Sequence, residues 1–191
     1  MRIEICGGIA AGKTTLTTML ESLGYSCVYE DFSSIAFLDD FYHDPELYTF
    51  ETELAFLLQH MYQAKKAMQK SDYFICDYSF EQDYAYAKQN LKGREWSIFQ
   101  SIYNEMQSQI DQASLIINLQ CPPKVLQERI QARGRPNEQS ITLDYLNGTI
   151  IQVENRLKEV LRPLVYINSN INDFRNPEIV REVILPILPK K

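Results

Sequence analysis

No two cysteines in this sequence are spaced as C-x-x-C. Cys6, Cys27, Cys76 and Cys121 each fall in or beside a predicted strand, so the ligand spacing of a zinc site is missing. They read as small buried apolar residues in a reducing cytoplasm. A basic cluster is missing too. The net charge is −6, which argues against a polymeric nucleic-acid partner and leaves a single nucleotide open. No apolar run approaches the ~20 residues that span a bilayer, and no signal-peptide pattern precedes the first strand, so no membrane partner is expected. Repeats and low-complexity segments are absent. What remains is a chain of 191 residues with ordinary apolar content. It reads as one domain with a full core over its whole length, because no linker suggests a second.

What is present is Gly7-Gly8-Ile9-Ala10-Ala11-Gly12-Lys13-Thr14, the pattern G-x-x-x-x-G-K-T, with Thr15 opening the helical run that follows. A strand-like segment over 2–6 leads in, and an apolar helical pattern over 15–23, stopped by Gly24, leads out. Strand, glycine loop and helix are the context that turns this pattern into a phosphate site. The glycines let successive N–H groups point at phosphate oxygens, and the helix adds its positive end. Lys13 is placed to reach the β/γ-phosphates and the Thr14 hydroxyl to hold Mg²⁺.

Further along, strands are predicted over 25–29, 73–76, 114–119 and 164–167, and helices over 49–70, 80–91, 94–110, 122–132, 143–161 and 176–185. Asp44-Pro45 reads as a helix start, and 33–40 as irregular or briefly helical. Strands separated by crossovers of this length predict an α/β fold: a five-stranded parallel sheet with helices on both faces. Ligand groups then gather at the C-terminal strand ends, which here are the P-loop, Glu30, Asp77 and the Gln120-Cys121 turn.

Glu30 ends the second strand, where a carboxylate can take the proton from an attacking hydroxyl; otherwise it is a solvated strand-end acid. Asp77 follows the apolar third strand, in the position of an acid that assists Mg²⁺; its other reading is a helix N-cap together with Ser79. Arg129, Arg133 and Arg135 surround Gly134 in R-x-x-x-R-G-R, and Arg129 and Arg133 share one helix face. Arginines on a hinged segment suit a lid over about 133–140 that closes on transferring phosphate. A merely cationic helix end is the plain alternative. Aromatics are dense over 32–62 and 73–86; most belong to the core, and a subset could stack on a flat base.

These motifs, in this order, resemble the deoxyribonucleoside kinases of the bacterial deoxyadenosine/deoxyguanosine type. The resemblance runs over about 1–174 through GGIAAGKTTL, VYEDF, FLDDFYHDPELYTFETELAFLL, DYSFEQDYAYAKQNL and ERIQARGRPNEQ, with LDYL after it. It implies that ATP phosphorylates the 5′-hydroxyl of a deoxynucleoside, with Mg²⁺, for nucleotide salvage. Glu30 then matches the general base. Tyr42 matches the tyrosine at the sugar 3′-hydroxyl, and Glu138 matches the acid that joins that contact once the lid closes. Glu53 and Asp83 match positions near the base edge, and Asp77 the acid of a D/E-R-S motif. The segment Asn172-Asp173-Phe174 resembles the one that covers the donor adenine, so Asp173 and Phe174 join the P-loop and Arg133 as the expected donor contacts. The resemblance also implies a homodimer built on the long helices.

Three positions depart from the pattern. Tyr78 replaces the arginine of D/E-R-S, which leaves the lid arginines to compensate or phosphoryl transfer weakened. Glu53 stands where glutamine is common, and an ionised glutamate only accepts hydrogen bonds. His60 stands where an arginine is common near the base. An acceptor-only pair of Glu53 and Asp83 suits adenine, guanine or cytosine, and the resemblance favours the purines. Two rivals stay open: a nucleoside monophosphate kinase, whose cationic pocket for the acceptor phosphate the loss of arginine at Tyr78 and His60 argues against, and a nucleotide-binding regulator without catalysis, which Tyr78 supports.

Overall fold

The three inner strands of the chain are short and apolar enough to be buried on both faces, which suits a parallel sheet covered by helices. In the computed structural model, which describes residues 1–190, five strands form one parallel sheet. They are β1 (Arg2–Gly7), β2 (Cys27–Val28), β3 (Phe74–Cys76), β4 (Leu115–Gln120) and β5 (Leu164–Asn168), in the order β2-β3-β1-β4-β5. Ile3 pairs with Ile75 on one side and Leu115 on the other, so the P-loop strand lies in the centre. Alternation along β1 sends Ile3 and Ile5 into one apolar cluster with Leu16, Leu20, Leu126 and Ile130. Glu4 and Cys6 point to the other face.

The helices are α1 (Lys13–Ser22), α2 (Leu38–His43), α3 (Pro45–Met68), α4 (Phe80–Asn90), α5 (Gly93–Gln107), α6 (Pro123–Arg133), α7 (Leu143–Lys158) and α8 (Pro177–Ile179). Asp44 caps α3 by accepting from the Leu47 N–H, with Pro45 at the first helical position. Ser79 caps α4 in the same way, through the Glu81 N–H. A second apolar cluster joins α3, α4 and α5 through Leu57, Met61, Phe74, Tyr78, Phe80, Phe99 and Tyr103. Buried Glu81 ties α4 to the α7 end: it accepts from Arg156, pairs with Arg162 at 3.0 Å and accepts from the Tyr103 hydroxyl. Helices α4 and α7 approach closely at Gly148, where a Cβ would lie 2.4 Å from Gln89 Nε2.

The fold class matches expectation, and four details differ. The second strand is two residues long instead of five, because it is an edge strand whose only neighbour, β3, has three. The long helix begins at Pro45 rather than at 49, since Asp44 and Pro45 supply cap and first turn. The C-terminal helix gives way to a π-helical turn over Val180–Ile184 and a 3₁₀ turn over Leu185–Ile187, where Pro186 cannot continue the ladder. Cys6 and Cys76 are buried, but Cys27 and Cys121 are only half-buried, because one lies on the edge strand and the other past the end of β4. None of the four forms a disulfide.

Candidate active site

The turn from β1 to α1 is shaped by glycines. Gly7 has φ +148°, and a Cβ there would sit 2.9 Å from the Leu119 carbonyl oxygen of the adjoining strand, a backbone atom that cannot move aside. Gly12 takes the left-handed conformation at φ 100° as the N-cap of α1. The first-turn N–H groups of α1 therefore open toward the cleft above the sheet. Lys13 folds back over this turn, and its Nζ donates to the carbonyls of Gly7 at 3.0 Å and Gly8 at 3.3 Å.

Beyond the P-loop lies a cleft of about 730 Å³. Its wall includes Ile9, Ala10, Ala11, Gly12, Lys13, Thr14 and Thr15 of the P-loop together with Glu30, Tyr42, Glu53 and Asp83. Arg129, Arg133, Arg135 and Glu138 line it as well. Distant parts of the sequence thus converge on one space, which the strand-end acid shares with the phosphate cradle.

Asp77 lies behind this wall, 2% exposed at the end of β3. Burial pushes its carboxyl up to about 6, while Lys13 and a hydrogen bond with Thr14 pull it back. Its Oδ1 is buried with no hydrogen-bond partner among the described residues. Ser79 alone caps α4, so Asp77 is free of the capping role. An unpartnered carboxylate oxygen beside a threonine hydroxyl and a phosphate cradle fits a hard cation that keeps most of its waters, as Mg²⁺ does.

The lid arginines divide into two kinds. Arg129 is fixed within α6, where it donates to the Ala10 carbonyl at 3.3 Å and the Ser169 carbonyl at 2.8 Å, so it braces the P-loop backbone. Arg133 and Arg135 lie on either side of Gly134, which ends α6 in the left-handed conformation at φ 68°. Both donate to Glu138, Arg135 at 3.1 Å. Glu138 is 6% exposed, on the 3₁₀ turn Pro136–Glu138. Asn137 Nδ2 donates to Asp39 Oδ1 at 2.7 Å, which fastens the lid to α2. Tyr42 sits near this cluster, and burial pushes its phenol up to about 12, with Glu138 adding to the shift.

At the far end, Asn90 Nδ2 donates to Glu53 Oε1 at 2.6 Å and to the Tyr145 hydroxyl at 3.1 Å. Burial pushes the Glu53 carboxyl up to about 8; Asn90 opposes the shift and Asp83 adds to it. A carboxyl raised this far favours its protonated form near pH 7, which can donate as well as accept. This corrects the acceptor-only reading of Glu53 and makes its chemistry resemble glutamine's. A stability effect follows. The folded state holds this proton more tightly than the unfolded chain, whose carboxyl titrates near 4.5. The stabilisation is complete below that pH and is lost as pH rises through about 8. We expect the parent to lose roughly 3 kcal/mol between about pH 6 and pH 9 through this group, and Glu53→Gln to remove that loss. Urea midpoints at about pH 6 and pH 9 measure it; equal pH dependence in both proteins contradicts it.

Asp83 is buried and accepts from His60 Nδ1 at 2.8 Å. Burial raises the Asp83 carboxyl and alone would lower the imidazole, but Asp83 and Glu30 outweigh it and hold His60 at about 10. The two carboxylates thus favour the protonated form of the His60 imidazole.

Two expected donor contacts lie outside the cleft wall. Phe174 is 3% exposed in the apolar cluster beneath the sheet, and its ring abuts Gly12. Asp173 is exposed and pairs with Arg175 at 2.8 Å. Several cleft residues went unrecognised in the sequence. Gln82 accepts from the Gly7 N–H at 3.2 Å, and the Tyr86 hydroxyl is buried without a partner among the described residues. With Asp83, Gln89 and Asn90 they form one face of α4, at i, i+1, i+4, i+7 and i+8, a helical spacing that could have revealed them.

A P-loop in the centre of a parallel sheet, faced by a strand-end carboxylate and covered by an arginine-bearing lid, defines a P-loop kinase. A family model described as "Deoxynucleoside kinase" matches residues 3–188, and the chain belongs to that family, whose reaction is phosphoryl transfer to a deoxynucleoside. The deoxyguanosine kinase of Bacillus subtilis (strain 168) is 31% identical over 83% of this chain and 79% of its own. The deoxyadenosine kinase of Dictyostelium discoideum is 27% identical over 95% of this chain and 77% of its own. Among solved structures, the deoxyadenosine kinase from M. mycoides with bound dCTP superposes with a TM-score of 0.84 at 21% identity, covering 98% of this chain and 100% of that one. No helix among the described residues is long and apolar enough to cross a membrane.

Proposed function

We propose that this chain transfers the γ-phosphoryl group of ATP to the 5′-hydroxyl of a purine deoxynucleoside, deoxyadenosine or deoxyguanosine, in nucleotide salvage. The observation that carries the reading is the shared cleft: Lys13 and Glu30 line one space large enough for a nucleoside and a triphosphate tail. The P-loop amides and Lys13 hold the donor phosphates. Glu30 orients the acceptor hydroxyl and accepts its proton as the oxygen attacks phosphorus. Arg133 and Arg135 leave Glu138 in part to neutralise charge that spreads over the transferring group, and Glu138 then turns to the sugar with Tyr42. Thr14 and Asp77 would hold Mg²⁺, which neutralises phosphate charge when bound. Asp173 and Phe174 belong to the segment flanking the donor adenine.

The purine preference is supported by the names of the two relatives above and by a neutral Glu53, which can donate to a ring nitrogen and accept from an amino group, as an amide does. The same reading makes the chain a cytoplasmic homodimer, and the exposed apolar side chains Leu58 and Tyr62 of α3 and Ile98 of α5 are consistent with helix pairing. An assay for ADP release across the four deoxyribonucleosides and deoxyadenosine monophosphate tests the proposal. Turnover fastest with a purine deoxynucleoside supports it. Turnover with the monophosphate alone, or with none of the five, overturns it.

A further inference from the structure

Directly behind Glu30 are two side chains to which the proposed chemistry gives no task. Tyr78 is fully buried, and its ring lies 3.8 Å from that of His60 at an interplanar angle of 4°. The Tyr78 hydroxyl donates to the His60 carbonyl at 3.0 Å. Stacking and hydrogen bond together leave the imidazole little freedom to turn or tilt. In that orientation its nitrogens face two acids from different parts of the chain. Nδ1 is bonded to Asp83 Oδ2 at 2.8 Å, in the first turn of α4. Nε2 lies 3.4 Å from Glu30 Oε1, just past β2, and has no hydrogen-bond partner among the described residues.

An ordinary core histidine needs only one of these contacts. Here the ring is 1% exposed, and the acid facing Nε2 is the carboxylate that must meet the acceptor hydroxyl. A neutral imidazole would turn a lone pair toward one of the two carboxylates, whereas the doubly protonated ring donates to both. The 3.4 Å separation is longer than a charge-assisted bond, as is common for catalytic contacts before substrate is in place.

We propose that His60, clamped by Tyr78, is a positioning residue that holds the Glu30 carboxylate at the acceptor hydroxyl and couples it to Asp83. The inference rests on Glu30 being the base. It adds that the orientation of that base is set from α3 by an imidazole the substrate does not touch.

The test compares His60→Gln, His60→Arg, Tyr78→Phe and Glu30→Gln with the parent, by steady-state kinetics with ATP and the preferred deoxynucleoside and by ATP binding in calorimetry. Glutamine can keep a bond to Asp83 but cannot donate as a cation to two acids. His60→Gln should lose about 10- to 100-fold in kcat while ATP affinity stays within about twofold of the parent. Arginine, whose fork can serve two carboxylates, should recover kcat to within about fivefold. Tyr78→Phe keeps the stack and loses one bond, so a loss of about threefold is expected. A folded His60→Gln protein with parental kcat overturns the inference, as does His60→Arg no better than His60→Gln. Should His60→Gln fail to fold, His60→Arg decides: recovery supports the inference, and a loss beyond about 20-fold refutes it. The two readings separate cleanly. If Glu30→Gln turns over normally, the base assignment fails. If Glu30→Gln is inactive while His60→Gln is parental, only the positioning role fails.

Discussion

Glu30→Gln gives a protein that binds ATP and its deoxynucleoside but turns over about 10²–10⁴ times more slowly, the range removed with a general base. Glutamine keeps the size of the side chain, so the cleft and the fold remain. The change removes the charge that pulls the proton from the attacking oxygen. Binding should survive because the proposal assigns the sugar and base contacts to Tyr42, Glu138, Glu53 and Asp83, which lie on other elements of the same wall. His60 loses one of its two acid neighbours and keeps the Asp83 bond at 2.8 Å. Single-turnover kinetics set beside equilibrium binding of the deoxynucleoside measure the split. A variant with parental kcat removes Glu30 from the reaction, and one that no longer binds deoxynucleoside assigns it to recognition.

Lys13→Ala should cost about 10²–10³ in kcat/KM for ATP, as loss of one preorganised donor to developing charge does elsewhere. In the structure its Nζ already rests on the Gly7 and Gly8 carbonyls, at the edge of the anion cradle. The ammonium is thus fixed within the P-loop before phosphate arrives, and little order is lost on binding. Alanine also releases Asp77, whose carboxyl is held down mainly by Lys13 against the effect of burial. Without the lysine that carboxyl should move further up, away from the ionised form a cation requires. The loss should therefore be larger near pH 6 than near pH 8, and kcat/KM for ATP at the two pH values measures it. A variant within about threefold of the parent at both contradicts the assignment.

Much of this was legible in the chain. The P-loop is read from a local pattern, and the parallel sheet from the alternation of short apolar runs with helical ones. Both depend on neighbours in sequence. Glu30 and the arginines around Gly134 could be placed because strand ends and hinges are also local. What could not be read depends on burial. Glu53 looks like an ionised acid until its surroundings are known, and only the fold brings Asn90 and Asp83 beside it. Tyr78 and His60 lie 18 residues apart and looked like two separate losses of arginine. In the fold they are a stacked pair. Arg129 shares a helix face with Arg133, yet its hydrogen bonds to Ala10 and Ser169 hold it to the body of the protein.

The contact at Gly148 bears on how the nucleoside end could vary. Helix α4 brings Asp83 and Asn90 to the wall and α7 brings Tyr145, and where the two helices meet, a Cβ at 148 would fall 2.4 Å from the amide of Gln89, whose side chain also lines the cleft. The lining of this part of the cleft is thus adjustable from a position outside its wall. A side chain at 148 would displace the Gln89 amide and so reshape the lining while every other wall residue kept its identity.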